Sequence, residues 1–284
     1  MGETENTKGI PLHIALCLFI HTALVLTAPY ITIPGISNSQ LYIILLSYAL
    51  PGALAVSFMR RRGIKHERPT GDLPSALPLF FILLAAMILL STLTAWLMGI
   101  FGAPVTGGEV GDGDLFSVIL LDCCMPAMTE ELVFRGIFLS LMLKSDRESA
   151  VWMNALVFAL IHPSLYQIPY AFCGGIILAL TARIAGPLTA LIFHFCNNLA
   201  SVLLTYGESW GGAIFNAVAL SLIFLAAVLS AIWLVHRRND KRYAPICELF
   251  APCKEEHPSR SALISPIGLW CVFAFALTLL NTVF

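Results

Sequence analysis

Two adjacent glutamates and an arginine interrupt the apolar stretch MPAMTEELVFRGIF, residues 125–138. A charged side chain at the centre of a bilayer costs about 2.5 to 3.5 kcal/mol on insertion scales, so each such residue is a candidate functional residue. Glu131 and Arg135 are four residues apart with the glutamate first, the favourable order for pairing on one helix face. Glu130 points about 100° away from Glu131 and needs a partner from another helix.

Two histidines and an asparagine on later apolar segments are candidate partners for Glu130. His162 ends the segment VFALIH, and His194 and Asn198 lie four residues apart on one helix face in IFHFCNNLA. At a rise of about 1.5 Å per residue, these side chains reach depths that overlap with the depth of Glu130. A carboxylate, two imidazoles and a carboxamide at similar depth are a set of groups typical of an active site.

The composition indicates that these residues lie in an integral membrane protein. Of 284 residues, 58% are hydrophobic and 12% are charged, whereas about 25% are charged in an ordinary soluble domain. The mean hydropathy is +0.84. Nine apolar runs have about the length that a helix needs to cross the hydrocarbon core. They cover residues 11–33, 39–59, 74–101, 114–143, 149–163, 166–183, 187–206, 211–236 and 262–284.

These runs predict an all-α polytopic membrane protein with eight or nine transmembrane helices in a single domain, residues 1–284. The connections between the runs alternate in charge, and Lys and Arg accumulate on the cytoplasmic side. The basic connections are residues 60–68, 144–149, 181–186 and 236–260. The connections without Lys or Arg are residues 33–40, 101–114, 162–167 and 206–212.

Nine crossings with a cytoplasmic N-terminus satisfy this alternation, and the short connections are typical of a bacterial plasma membrane. The first segment carries the weakest signal, because its flank MGETENTKG has one lysine and two glutamates, so eight crossings remain an alternative. No cleaved signal peptide is predicted, since that segment lacks a basic leader region. The net charge of −1 and the spread of the basic residues predict no nucleic-acid partner.

Several polar residues also have purely structural interpretations. His21 has no charged neighbour in the sequence and is interpreted as an interhelical hydrogen-bonding residue, and Asp122 caps a helix or lines a polar cleft. The Glu131–Arg135 pair either fixes helix register as a buried ion pair or leaves Arg135 to bind a substrate carboxylate. For Glu130 the structural interpretation is weakest, because no local partner offsets the cost of burying it.

The polar residues form three motifs in order along successive helices. They are EExxxR starting at Glu130, FxxxH ending at His162 and HxxxN starting at His194. The set resembles the CPBP family of intramembrane glutamate proteases, which includes the eukaryotic CAAX prenyl endopeptidase and bacterial Abi-type enzymes linked to bacteriocin processing. The resemblance covers about residues 114–206, a third of the chain, and implies a CPBP-like catalytic core in helices four to seven.

The resemblance implies a role for each motif residue. Glu130 and His162 are expected to activate a water molecule, and His162 then passes a proton to the leaving amine. His194 and Asn198 are expected to stabilise the oxyanion, a contribution of about 2.7 to 4 kcal/mol per donor in known cases. No metal and no cofactor is implied. The expected partners are membrane lipid and a peptide or protein substrate, such as a membrane-anchored leader.

Three other functions stay open from the sequence. Histidine and glutamate are zinc ligands in metalloproteases, although the HExxH motif is absent here. Cys247, Cys253 and His257 share one connection, but their spacing does not match a zinc site with two close ligand pairs. Intramembrane Glu and His also carry protons in transporters. A non-catalytic protein that binds signal peptides or prenylated tails is the third alternative, and the intact motif set argues against it.

Overall fold

The computed structural model describes residues 9–32, 39–105, 114–250 and 265–283, and every regular element within these ranges is helical. The first three long helices are α1 (Ile10–Thr27), α2 (Ser39–Arg61) and α3 (Leu73–Ile100). The next three are α4 (residues 115–145), α5 (Ala150–Leu160) and α6 (Ile168–Ala185). The remaining helices are α7 (Pro187–Gly207), α8 (Gly211–His236), the short α9 (Ala244–Leu249) and α10 (Pro266–Val283).

Each of the nine predicted apolar runs overlaps one of the helices α1 to α8 and α10. An aspartate caps the start of two of them. The side chain of Asp72 accepts a hydrogen bond from the Ser75 backbone N–H at 3.1 Å at the start of α3. Asp114 accepts from the backbone N–H groups of Phe116 and Ser117 at the start of α4. Such capping satisfies donors that the first helical turn leaves unpaired.

The predicted runs 187–206 and 211–236 form two helices that are separated by a kink at Gly212. Gly212 has φ 66°, a conformation that residues with a side chain rarely adopt. The Asn216 side chain donates to the Leu204 carbonyl at 3.1 Å. Twelve residues of a straight helix would separate these groups by about 18 Å. The chain therefore turns back at this point, and α7 and α8 form a helical hairpin.

Within the described ranges, six helices are long and apolar enough to cross a membrane, and α5 and α10 are apolar but shorter. The protein is thus an all-α polytopic membrane protein, as the sequence predicts. The number of crossings remains a prediction, because α5 has 11 residues and spans only about 16 Å. It ends at Leu160, before Pro163, rather than continuing through residue 163.

The four basic connections meet at one end of the helices, which we name the basic face. Arg147 pairs with both Glu67 and Glu248, and its Nε lies 3.2 Å from Glu248 Oε2. Arg183 donates to the same Glu248 oxygen at 2.6 Å. These four residues come from the connections 60–68, 144–149, 181–186 and 236–260. The structure therefore brings the predicted basic set together on one side.

Candidate active site

The two adjacent glutamates lie on α4 between two π-helical segments, Ile119–Cys124 and Phe134–Phe138. The central α-helical part, Met125–Val133, carries both Glu130 and Glu131, and both side chains are buried. A π turn shifts the backbone hydrogen-bond register, and such turns occur frequently at functional sites. The sequence pattern contains no signal for these two irregular turns.

An asparagine from another helix donates to a carbonyl in each π-helical segment. Asn198 Nδ2 lies 3.4 Å from the Asp122 carbonyl in the first segment. Asn154 Nδ2 lies 3.0 Å from the Phe134 carbonyl in the second segment. Buried carbonyls need a hydrogen-bond donor, so these contacts satisfy backbone groups of α4 while fixing its position against α5 and α7. Asn197 also donates to Asn198 Oδ1 at 3.4 Å.

Glu131 and Arg135 form the ion pair that their spacing predicts. Arg135 Nη1 lies 2.8 Å from Glu131 Oε1, and the two residues are 2% and 1% exposed. The other end of the guanidinium donates to the Gly175 carbonyl at 3.2 Å, and its carbon lies 4.1 Å from the centre of the Phe158 ring. Arg135 is therefore held on three sides by groups of the protein itself.

Gly175 brings α6 close enough to α5 for this arrangement. A Cβ at this position would lie 3.0 Å from the Ala155 Cα and 3.1 Å from the Ala155 Cβ. Real Cβ atoms rarely approach other atoms that closely. A glycine is thus required for the close helix contact, which places the Gly175 carbonyl within reach of Arg135.

His194 joins the buried ion pair, a contact that the sequence analysis did not predict. Its Nδ1 lies 2.9 Å from Glu131 Oε1, the same oxygen that Arg135 contacts. Because a carboxylate only accepts hydrogen bonds, Nδ1 of His194 carries the proton. Glu131 does not engage the second ring nitrogen, Nε2. The contact spans 63 residues of sequence, and local spacing therefore contains no signal for it.

His162 lies just beyond the end of α5, where its ring packs on the helix that precedes it. Nδ1 lies 2.9 Å from the Phe158 carbonyl and so donates to it. The Phe158 ring contacts the rings of both His162 and His194 edge-on, at centroid distances of 5.3 and 5.9 Å. Phe158 is therefore a common support for the two histidines and for Arg135, and this accounts physically for the phenylalanine in the FxxxH motif.

Glu130 has a partner on α2, Tyr48, that the sequence analysis missed. The Tyr48 hydroxyl donates to Glu130 Oε1 at 3.4 Å. The His21 ring packs edge-on against Tyr48 at 4.7 Å, and its Nδ1 lies 3.0 Å from the Ser47 carbonyl. This hydrogen bond between α1 and α2 agrees with the structural interpretation of His21. Tyr48 could not be recognised as a partner from the sequence, because it carries no charge and belongs to no recognisable motif.

One cavity of about 630 Å³ brings the four predicted catalytic residues together. Glu130, His162, His194 and Asn198 all contribute to its lining. Asp122 also lines the cavity, which agrees with the polar-cleft interpretation of that residue. The lining further includes residues of α3, so the cavity extends beyond helices four to seven. Neither Glu131 nor Arg135 is among the described residues that line it.

A metal site has little support from the described residues. No group of three or more His, Cys, Asp and Glu side chains in that part of the chain is placed to hold a metal ion. Cys247 is exposed, and its thiol donates to the Arg238 carbonyl at 3.4 Å. Cys253 and His257, the other members of the weak zinc pattern, lie outside the described residues.

Comparison with known families gives one match, to a segment that contains the four predicted catalytic residues. The model of a family described as "Type II CAAX prenyl endopeptidase Rce1-like" matches residues 112–200, about a third of the chain. The match contains all three motifs and confirms the family resemblance of this segment. It supports an intramembrane protease in general. Neither the curated proteins nor the solved structures that were compared give a match.

Proposed function

We propose that this protein is an intramembrane endopeptidase that hydrolyses a peptide bond with a water molecule activated by Glu130 and His162. The observation that carries the proposal is the convergence of Glu130, His162, His194 and Asn198 on one cavity within the family-matched segment. Hydrolysis needs a base beside the attacking water and donors beside the carbonyl oxygen, and these four residues supply both.

In this proposal Glu130 takes a proton from the water as its oxygen attacks the substrate carbonyl. The Tyr48 hydroxyl holds one oxygen of the carboxylate, which limits the orientations that Glu130 can adopt. The Nδ1 of His162 is occupied by the Phe158 carbonyl, so Nε2 is the atom that contacts the water. The proton then passes to the leaving amine, either from Glu130 or through His162, as the carbon–nitrogen bond breaks.

The oxyanion of the tetrahedral intermediate is stabilised by His194 and Asn198. Asn198 Nδ2 has two hydrogens, one of which is directed to the Asp122 carbonyl, and the second is available to the substrate oxygen. His194 donates from Nε2 when both ring nitrogens carry protons.

The movement of charge during the attack fits this division of roles. When Glu130 accepts the proton, one negative charge moves from its carboxylate to the substrate oxygen beside His194. The net charge of the site does not change, and a preorganised donor receives the new charge in a water-poor region. Glu131 and Arg135 then act as positioning residues, because Glu131 holds the Nδ1 of His194 and Arg135 holds Glu131.

The proposed setting is a bacterial plasma membrane, with the N-terminus and the basic face in the cytoplasm. The proposed substrate is a membrane-associated peptide or protein. The test is proteomics of new N- and C-terminal peptides in cells that express either the natural protein or Glu130→Gln. Glu148→Gln, which changes an exposed glutamate of the basic face, is the matched control. Termini that depend on Glu130 and not on Glu148 support the proposal, and an identical set in all three samples contradicts it.

Independence from metal ions is a further part of the proposal, because glutamate and histidine activate the water without assistance. Turnover by the purified enzyme is therefore expected to persist in EDTA and in 1,10-phenanthroline. Stoichiometric zinc in the purified enzyme, together with turnover that chelators abolish, would instead favour a metalloprotease.

A further inference from the structure

The cavity spans the middle of the helices and extends toward the end that is opposite the basic face. Helix α3 starts at that face, because the Gly71 N–H donates to the Ile184 carbonyl at the end of α6. On α3 the lining residues run from Leu83 to Ser91, about 15 to 27 Å from its first residue. On α7 they run from His194 to Thr205, about 10 to 27 Å from Pro187.

The short helix α5 leaves space on the side opposite the basic face. It has 11 residues against 28 in α3, or about 16 Å against about 42 Å. The turn that follows it, residues 161–167, therefore ends well before α3 does. Tyr166 and Gln167 in this turn line the cavity. The cavity occupies the space beyond the end of α5. The connection 162–167, which has no Lys or Arg, forms the outer wall of the cavity.

Polar side chains line this outer part of the cavity. Ser91, Gln167, Ser201 and Thr205 all contribute to the lining, and Ser201 and Thr205 are exposed. The Ser91 and Thr205 hydroxyls donate to carbonyls of their own helices, at Ile88 and Ser201. The other polar positions, on Gln167 and Ser201, are ones for which a water-filled opening offers hydrogen-bond partners and lipid tails do not. The polar lining thus indicates an aqueous opening on the face opposite the basic face.

The charges of the lining restrict the substrate. Asp122 and Glu130 are the acidic residues among the described lining residues, and that set contains no Lys or Arg. Arg135, the cation nearest in sequence to Glu130, is buried against Glu131 and Phe158. A substrate that ends in a free carboxylate close to the scissile bond would bring a negative charge beside these two acidic residues.

We infer that the cavity accepts an uncharged or basic peptide segment of a membrane-anchored protein from the face opposite the basic face, and that it cuts within the segment. This inference rests on the proposed protease function. Because Lys and Arg accumulate in the cytoplasm, the accessible face is the extracytoplasmic one. The substrate class is therefore membrane-anchored proteins with an extended stretch outside the cytoplasm, rather than cytoplasmic proteins with a processed C-terminal carboxylate.

The first test measures the side of the opening and does not depend on catalysis. Gln167→Cys and Thr205→Cys are made separately at the cavity opening, and Lys65→Cys is made on the basic face, all with Cys247→Ser and Cys253→Ser. Intact cells and inverted vesicles are then treated with a membrane-impermeant maleimide. We expect both opening variants to be labelled in intact cells and Lys65→Cys only in inverted vesicles. Labelling of all three from the same side, or of neither opening variant before solubilisation, overturns the inference.

The second test locates the cleavage sites with the terminal peptides that depend on Glu130. We expect these termini to map to extracytoplasmic segments or to the extracytoplasmic ends of membrane spans, more than a few residues from the natural C-terminus. Glu130-dependent termini in cytoplasmic segments would overturn the inference and leave the proposed protease function standing. Complete absence of Glu130-dependent termini would remove the protease function, and the labelling result would still decide the side of the opening.

Discussion

Two charge networks in this protein use the same residue types at very different exposures. Inside α4, Glu131 and Arg135 are 1% and 2% exposed, and His194 contacts the same carboxylate oxygen. On the basic face, the side chains of Arg147 and Glu248 are 49% and 42% exposed. Both networks join elements that are distant in sequence. The first is buried throughout, whereas Arg183 is the buried member of the second, with a side chain that is 5% exposed.

This difference determines what each network contributes. Exposed ion pairs add about 0 to 1 kcal/mol because water and salt screen them. A buried pair is expensive to form, but removal of one partner leaves an unpaired charge inside the protein. The buried network therefore fixes one arrangement of α4, α6 and α7, whereas the exposed ion pairs of Arg147 hold the basic connections together with little free energy. Four predictions test this contrast, from the largest effect to the smallest.

The largest effect is expected at Glu130, the buried carboxylate to which the proposal assigns the chemical step. Glu130→Gln keeps the size of the side chain and removes the base, so the turnover rate should fall by about 10²- to 10⁴-fold. Thermal unfolding in detergent should remain close to that of the natural protein. Steady-state cleavage and thermal unfolding are measured together, with Glu148→Gln as the control. Cleavage at the natural rate by purified Glu130→Gln would assign the base to another residue.

The next effect compares the two arginines directly. Arg135→Met leaves Glu131 buried without its cation, and the free energy of unfolding should fall by about 3 to 5 kcal/mol. Arg147→Met removes an exposed arginine, and the loss should be about 0 to 1 kcal/mol. Equilibrium unfolding in detergent measures both variants under the same conditions. Equal losses would show that burial does not distinguish the two networks.

A smaller effect is expected at Tyr48, which positions Glu130 without lining the cavity. Tyr48→Phe removes only the hydroxyl, and kcat should fall about tenfold, equivalent to about 1.4 kcal/mol. KM should stay near its natural value, because Tyr48 is not placed to contact the substrate. Tyr42→Phe, at an exposed position on the same helix, is the control. A raised KM with an unchanged kcat would assign Tyr48 to substrate binding.

The smallest effect concerns the pH response of the basic face. Burial raises the pKa of Glu248, but the hydrogen bonds and charges of Arg183 and Arg147 outweigh it and hold the pKa below its usual range. A carboxylate with a lowered pKa stabilises the fold above its unfolded-state pKa of about 4.3 and loses that contribution as the pH falls. The natural protein and Glu248→Gln should therefore differ slightly in stability near pH 7, and this difference should shrink as the pH falls below about 4.3. A difference that is unchanged at pH 3 would show that it does not arise from ionisation.

The sequence already contained the helical architecture, because apolar runs of membrane-spanning length allow few other folds in lipid. It also contained the Glu131–Arg135 pair, since contacts between residues four apart depend only on helix geometry. The alternation of basic connections predicted a common face, and the contacts among Glu67, Arg147, Arg183 and Glu248 place these connections together. Its assignment to the cytoplasm stays a prediction.

Only the tertiary structure determined which residues contact each other across the bundle. The contact of His194 with Glu131, the hydroxyl of Tyr48 on Glu130 and the close approach at Gly175 join helices that are far apart in sequence. No local spacing predicts them, because they depend on how the helices rotate and pack. The same holds for the cavity, which exists because α5 is short where α3 and α4 continue. The sequence alone determined the residue types available for the chemistry. Packing determined which of them line one cavity and which, like Glu131 and Arg135, are buried beside it without lining it.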